Sequence, residues 1–274
     1  MAGAAAAAAA EAAGAAAAVS PEAASRAAVP AAAEAAAGKK PAAKQMKKYI
    51  IFDFDGTLVN TNNIITESWQ ATLEKYLGRR LPVREIEATF GEVLADSMEK
   101  LIPGADIREA IDYYRAYQDS HQKEGTVYVF DGVRELLETL RECGHVIGVG
   151  TSRTAYSLQK YMKALDIEDL VDEIVTMEDV SMHKPHPETV EAVLRKMAAH
   201  DDEECARGGR IPGHVRDLAI MIGDTKYDIG CANNAGVESA LVGWSHYVDE
   251  EAMAADGFAP TYRIETPGQL LELV

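Results

Sequence analysis

Short apolar runs alternate along the chain with longer amphipathic stretches. KYIIFDFD (48–55), HVIGVGT (145–151), DEIVTME (172–178), LAIMIGD (218–224) and ESALVGW (238–244) have the length and β-branched content of strands buried on both faces. Between them GVRELLETLREC (132–143), SLQKYMKALD (157–166) and ETVEAVLRKMAAH (188–200) repeat apolar residues at helical spacing. Strand, helix and strand in that rhythm predict an α/β fold, a doubly wound Rossmann-like parallel sheet with right-handed crossovers.

The pattern breaks twice. From about Thr66 to Thr126 no strand signal occurs; TESWQATLEKYLG pairs a Thr cap with a Gly stop, and DIREAIDYYRAYQDSH repeats the helical spacing. An all-helical insertion after the first strand would sit over the strand ends, where open parallel sheets bind ligands, and act as a lid. The second break is the start, where Ala2 to Gly38 is mostly alanine interrupted by Pro21, Pro30 and glycines. With two valines as its largest apolar side chains it offers nothing to bury. The expected domains are a disordered alanine-rich tail over 1–45, a core from 46–62 and 129–274, and a small helical cap over 63–128.

Composition narrows the partners. The chain has 274 residues, is 47% hydrophobic and carries a formal charge of −17. Residues 1–45 hold three glutamates against one arginine and three lysines, so the remainder carries −18. A body that acidic does not engage nucleic acid through its general surface. The alanine run lacks a basic lead and is cut by Glu11 and Glu22, so it reads poorly as a signal peptide, and no stretch is long and apolar enough to span a bilayer. MKKYIIFDFDGT from Met46 reads as an ordinary cytosolic beginning. Cys143, Cys205 and Cys231 form no zinc or disulfide spacing. The expectation is a cytoplasmic protein, monomer or homodimer, with no nucleic-acid or membrane partner.

The chemistry collects at strand ends. In YIIFDFDGTLVNT, alternation along a strand places Asp53 and Asp55 on one side. Two such carboxylates repel by about 4 kcal/mol at 4 Å and an effective dielectric of 20, so the pair calls for a cation or a proton. GTSR, HKPHP and GDTKYD end the later strands and would open onto the same crevice. If a helix starts after Asp224, Asp228 lies one turn on and both face one metal. Asp53, Asp55, Asp224 and Asp228 make an oxygen-rich cup beside one lysine and one or two hydroxyls, the ligand set for magnesium plus a phosphoryl group and not for zinc. Taken singly, Thr151 could cap a helix, Lys184 could be a solvated loop residue and Asp224 an N-cap. Their joint occurrence at strand ends argues otherwise. His183, His186 and Cys231 receive no role.

DFDGTLVNT, IGVGTSR, the lysine of HKPHPE and MIGDTKYDIGCANNAG together resemble the four motifs of the haloacid dehalogenase superfamily, in its phosphatase branch with a small helical cap after the first strand (subfamily IA, C1 cap). The resemblance spans about residues 46–274. It implies Asp53 as nucleophile, Asp55 as general acid and base, Thr151 as phosphate binder, Lys184 as charge clamp, and magnesium held by Asp53, Asp55, Asp224 and Asp228. Phosphoryl oxygens would be held by Gly56, Thr57, Thr151, Ser152 and Lys184. Asp55 separates the chain from the dehalogenases and the phosphonate-cleaving branch, which lack that aspartate. Asn60, Thr61 and Asn62 resemble the lead of pyrophosphatases in the phosphoglycolate-phosphatase group, whereas FGEVLADS departs from the common cap loop and puts Glu92 near an anionic substrate. The implied function is magnesium-dependent hydrolysis of a small phosphorylated metabolite through an aspartyl phosphate, with Asn60, Asn62 and Glu92 selecting the leaving group.

Two other classes compete. A receiver-type switch shares the acids, the hydroxyl and the lysine, but here the acidic pair is fused in DFDGT and a lid interrupts the first crossover. A non-catalytic phospho-ligand binder would be expected to have lost an acid, and none is missing.

Overall fold

The computed structural model describes residues 46–122, 125–245 and 250–274, so the alanine-rich tail expected over 1–45 lies outside the described residues. Strands β1 (Tyr49–Phe52), β2 (Val59–Asn60), β3 (Tyr128–Val129), β4 (Val146–Gly150), β5 (Glu173–Val175), β6 (Ala219–Gly223), β7 (Glu238–Val242) and β8 (Tyr262–Ile264) form two sheets. The larger runs β5-β4-β1-β6-β7-β8 with every pairing parallel. Chain order reverses at β1: β4 and β5 extend one way, β6 to β8 the other. Such a switch point leaves a crevice at the carboxyl ends of the strands.

Alternation along β1 divides the core. Ile50 and Phe52 pack on one face against α5 (Val133–Glu142) and α6 (Ala155–Ala164) through Leu136, Leu137, Leu140 and Met162. Tyr49 and Ile51 pack on the other against α7 (Glu188–Ala198) and α10 (Lys226–Ala235) through Val190, Val193, Leu194 and Ala232. Two short helices, α8 (Glu203–Ala206) and α9 (Gly213–Asp217), lead into β6, and α11 (Glu250–Ala255) into β8.

Among the described residues between β2 and β3 the regular elements are all helices: α1 (Asn62–Leu77), α2 (Val83–Glu87), α3 (Leu94–Leu101) and α4 (Ile107–His121). They carry a core of their own, Trp69, Leu73, Ile86, Met98, Ile102 and Tyr114, with Trp69 edge-on to Tyr114 at 5.4 Å between ring centroids. Asp106 caps α4 by accepting from the Glu109 amide at 3.0 Å. The antiparallel pair β2–β3 ties the two ends of the insertion together.

Three details differ from the sequence reading. The first strand stops at Phe52 and not at Asp55, because the amides of Leu58 and Val59 turn back to the Phe54 carbonyl at 3.1 and 3.0 Å. Helix α1 begins at Asn62 with Thr61 at its N-cap, so Thr66 lies inside it. Strand β8 and the β2–β3 pair were not expected; each is two or three residues long and carries no apolar run.

Candidate active site

The loops after β1, β4 and β6 and the inserted helices enclose a cavity of about 320 Å³. Asp53 forms part of its floor. Lys184, only 1% exposed at its side chain, donates to Asp53 Oδ1 at 2.7 Å and to Asp228 Oδ1 at 2.6 Å. Asp228 sits in the first turn of α10, and its Oδ2 accepts from the Thr225 amide at 3.0 Å and hydroxyl at 2.6 Å, closing a capping box. Asp224 directly follows β6, with Oδ2 accepting from Ser245 Oγ at 2.6 Å. Its Oδ1 is buried without a hydrogen-bond partner.

Burial sets the electrostatics of this floor. It pushes the Asp53 carboxyl up to about 7 against the pull of Lys184, and Asp228 and Asp55 add to the rise. Burial, then Asp228 and Asp53, raise Asp224 well above the ordinary carboxylate range despite the Ser245 hydroxyl. Burial would lower Lys184, but Asp228 and Asp53 override it and hold the ammonium firmly charged. Asp53, Asp224 and Asp228 each offer an oxygen within 4.8 Å of the others. Three carboxyl groups crowded around one ammonium lack the positive charge that would keep all of them ionised, and they leave one orphaned buried oxygen. That donor set fits a small hard cation coordinated by oxygen.

Asp55 stands apart. Its Oδ2 accepts from Arg153 Nε at 2.6 Å, and its Oδ1 from Arg153 Nη2 at 2.7 Å and Thr61 Oγ1 at 2.5 Å. It lines the cavity with Asp53, but its carboxylate belongs to an ion pair outside the acidic cluster, because the chain has left the strand before reaching it. Thr151 and Ser152, following β4, line the cavity as well, and Ser152 Oγ donates to the Gly91 carbonyl at 2.8 Å.

Gly56 and Thr57 do not line the cavity. The Gly56 amide donates to Val59 O at 2.9 Å, and the residue is needed for its conformation: φ is +77°, and a Cβ would overlap Asp224 Oδ2. Thr57 Oγ1 is buried without a partner. Asn60 donates to the Tyr128 hydroxyl at 2.9 Å within the β2–β3 pair, away from the cavity, whereas Asn62 and Glu92 line it. Glu92, 9% exposed at its side chain, accepts from Ser97 Oγ at 3.0 Å, Lys100 Nζ at 2.5 Å and the Tyr227 hydroxyl. Burial and Glu92 hold that phenol well above its ordinary range. The inserted loop is thereby fastened to α10. Gly91 (φ +89°) allows it, since a Cβ there would press on Thr225 and Tyr227.

A floor of acids and one lysine, at the switch point of a parallel sheet beneath a helical roof, can be placed against known proteins. The haloacid dehalogenase-like hydrolase family matches residues 50–242. The chain belongs to that family. A pyrophosphatase from Anoxybacillus flavithermus is 29% identical over 225 residues, covering 82% of this chain and 95% of that protein. A pyrophosphatase from Bacillus cereus is 30% identical over 196 residues, covering 72% and 83%. Among solved structures, a hydrolase from Pseudomonas syringae superposes with a TM-score of 0.67 at 22% identity, covering 82% of this chain and 97% of that one. A predicted phosphoglycolate phosphatase from Haemophilus somnus gives 0.61 at 19% identity, covering 83% and 97%. These two speak for the fold. The chain takes its place among the phosphatases of the haloacid dehalogenase-like hydrolases.

In this hydrolase three contributors went unnoticed in the sequence. Arg153 stands in GTSR directly after Thr151 and Ser152, and that adjacency was the available signal. Ser245 lies just past the end of β7, a strand-end position like the others. Tyr227 sits inside GDTKYD but acts on Glu92, 135 residues away, and nothing local announces it. Cys231 packs in α10 with its thiol on the His186 carbonyl at 3.0 Å. Among the described residues no helix is long and apolar enough to cross a membrane.

Proposed function

We propose that the protein is a magnesium-dependent phosphohydrolase of small phosphorylated metabolites, with Asp53 as the nucleophile. The observation that carries this reading is the floor of the cavity: one carboxylate open to the cavity, backed by a buried lysine and by a carboxylate whose second oxygen has no donor.

Asp53 attacks phosphorus, forming a carboxyl O–P bond as the bond from phosphorus to the leaving oxygen breaks. Asp55 gives that oxygen a proton. In the second step a water gives its proton to Asp55 and attacks the same phosphorus, and phosphate leaves as the Asp53 carboxylate is restored. Lys184 suppresses repulsion between Asp53 and the incoming anion, and holds Asp53 in place through the same bond. Thr151 and Ser152, at the cavity wall, bind phosphoryl oxygens. Asp224 with Asp53 and Asp228 would hold magnesium, which when bound neutralises the phosphoryl charge and orients the group for in-line attack. Asp228 has both oxygens taken by Lys184 and Thr225, so its share is chiefly to set the position of Lys184. Gly56 and Thr57 shape the loop that carries Asp55.

The domain reading stands on the same footing: the inserted helices act as a cap whose walls, together with Asn62, admit a compact leaving group. Pyrophosphate and phosphoglycolate, the compounds in the names of relatives and neighbours, both fit that size class. Glu92 fastens the cap loop, and Asn60 supports its hinge from outside the cavity.

The test is turnover of pyrophosphate, 2-phosphoglycolate and an aryl phosphate with Mg²⁺. Asp53→Asn should lose at least about a thousandfold in kcat while keeping its fold, since the nucleophile is gone and a buried charge is removed. A variant retaining more than a few per cent of the rate sinks the assignment. Asp55→Asn should damage substrates with poor leaving groups more than activated aryl esters.

A further inference from the structure

Arg153 is a buried cation, in contact with Asp55, that this reaction does not yet employ. Its side chain is 10% exposed, with the guanidinium carbon 4.6 Å from the Tyr161 ring centroid and 5.8 Å from that of Phe54. Nη1 donates to Ser157 Oγ at 2.7 Å while Nε and Nη2 hold Asp55. With Thr61 also on Oδ1, each oxygen of Asp55 already has a donor. The group assigned to proton transfer is therefore engaged, and substrate must disengage it. Of the other cations, Lys160 at the cavity wall is paired with Asp119, Lys184 beneath Asp53 is held by Asp53 and Asp228, and Arg115 of α4 lines the cavity as an exposed side chain, without the burial and the contact with Asp55 that Arg153 has. Asn62, next in the chain to Thr61 and 3% exposed, lines the cavity with Nδ2 lacking a partner.

A planar fork stacked between aromatic rings and resting on a carboxylate is suited to a second planar or tetrahedral anion. We infer that Arg153 is the receptor for a negative charge on the leaving group, and that the substrate frees Asp55 by replacing it on the guanidinium. This rests on the phosphatase reading and narrows its substrates. They are phosphate esters or anhydrides whose leaving group bears a carboxylate or phosphate close to the scissile oxygen. With an uncharged leaving group the fork stays on Asp55, and the leaving oxygen goes without its proton. One residue then both recognises the substrate and controls release of the acid.

The experiment compares kcat/KM for 2-phosphoglycolate and its uncharged amide, a leaving group of nearly the same shape without the negative charge, in the wild type, Arg153→Met and Arg153→Lys. The wild type should favour the acid by at least about a hundredfold, Arg153→Met should bring the two rates within a few-fold, and Arg153→Lys should fall between. Thermal melting shows whether Arg153→Met is folded; if it is not, Arg153→Lys decides, and it must lose at least about tenfold of the preference because lysine lacks the fork. Guanidinium ion added to Arg153→Met should restore turnover of the acid and not of the amide. A wild type with no preference, or a folded variant keeping the wild-type ratio, overturns the role of Arg153 while leaving the phosphatase intact. A wild type that hydrolyses neither ester nor pyrophosphate removes the phosphatase reading, and this inference with it.

Discussion

The floor and the rim of the cavity are built in opposite ways. The floor consists of groups at the ends of β1 and β6, on the first turn of α10 and on the loop before α7, nearly all out of reach of solvent and each holding another in place. The rim consists of pairs between the inserted helices and the core, such as Lys160 with Asp119 and Tyr227 with Glu92, with at least one partner half exposed or at the cavity wall. The difference teaches where chemistry and where selection reside. A buried floor holds its geometry whatever the substrate, because breaking any pair strands a charge in a low-dielectric site. Exposed pairs cost little to break and re-form, which suits a surface that must open for each turnover.

The sharpest way to break this comparison is to remove one lysine from each region. Lys184→Met leaves Asp53 and Asp228 facing each other unpaired, and should cost on the order of 3–5 kcal/mol in urea unfolding of the metal-free protein. Equal losses for Lys184→Met and for Lys160→Met, whose pair is 39% and 59% exposed, would show that floor and rim are not distinct.

Next in size is the metal. At a hundred times its Kd, Mg²⁺ should stabilise the wild type by about 2.7 kcal/mol, a rise in Tm on the order of 5–10 °C for a chain of this length. Asp224→Asn should abolish that rise and lower kcat by roughly a hundredfold or more. An undiminished Mg²⁺ shift in the variant would move the cation away from the orphaned oxygen.

A smaller effect is expected at the fastening of the cap loop. Tyr227→Phe removes one hydrogen bond to Glu92, worth about 1 kcal/mol, and should raise KM severalfold for every substrate alike. Glu92→Ala should do the same more strongly. Should either variant reorder the substrate preferences, Glu92 reads the leaving group directly and is more than a fastening post.

The smallest effect belongs to Lys160→Met itself, a partly exposed pair worth less than about 1 kcal/mol. Its melting curve should nearly overlay that of the wild type.

The same contrast explains what could be read from the chain. Asp53, Thr151, Lys184 and Asp224 each follow an apolar run or a loop with a short motif, so strand periodicity placed them without any knowledge of tertiary contacts. The pairing of Arg153 with Asp55 spans 98 residues and that of Tyr227 with Glu92 spans 135, and no local pattern encodes either. Asp55 shows the limit within a single motif. Strand alternation put its carboxylate beside that of Asp53, but the regular strand ends at Phe52, and Arg153 and Thr61 hold the Asp55 carboxylate apart from the acidic cluster. Strand β8 escaped notice because Tyr262, Arg263 and Ile264 alternate too briefly to register, and only its neighbour β7 makes it a strand.

The central claim is that Asp53 itself becomes phosphorylated, and acid quenching during turnover tests it most directly. Asp55→Asn, which should slow the second step, is mixed with pyrophosphate and Mg²⁺, quenched, digested and weighed. The account predicts one phosphoryl group on the peptide that contains Asp53, removed by hydroxylamine as an acyl phosphate must be, and absent from Asp53→Asn. Free phosphate released while that peptide stays unmodified, or a phosphoryl group found on any other residue, would contradict it.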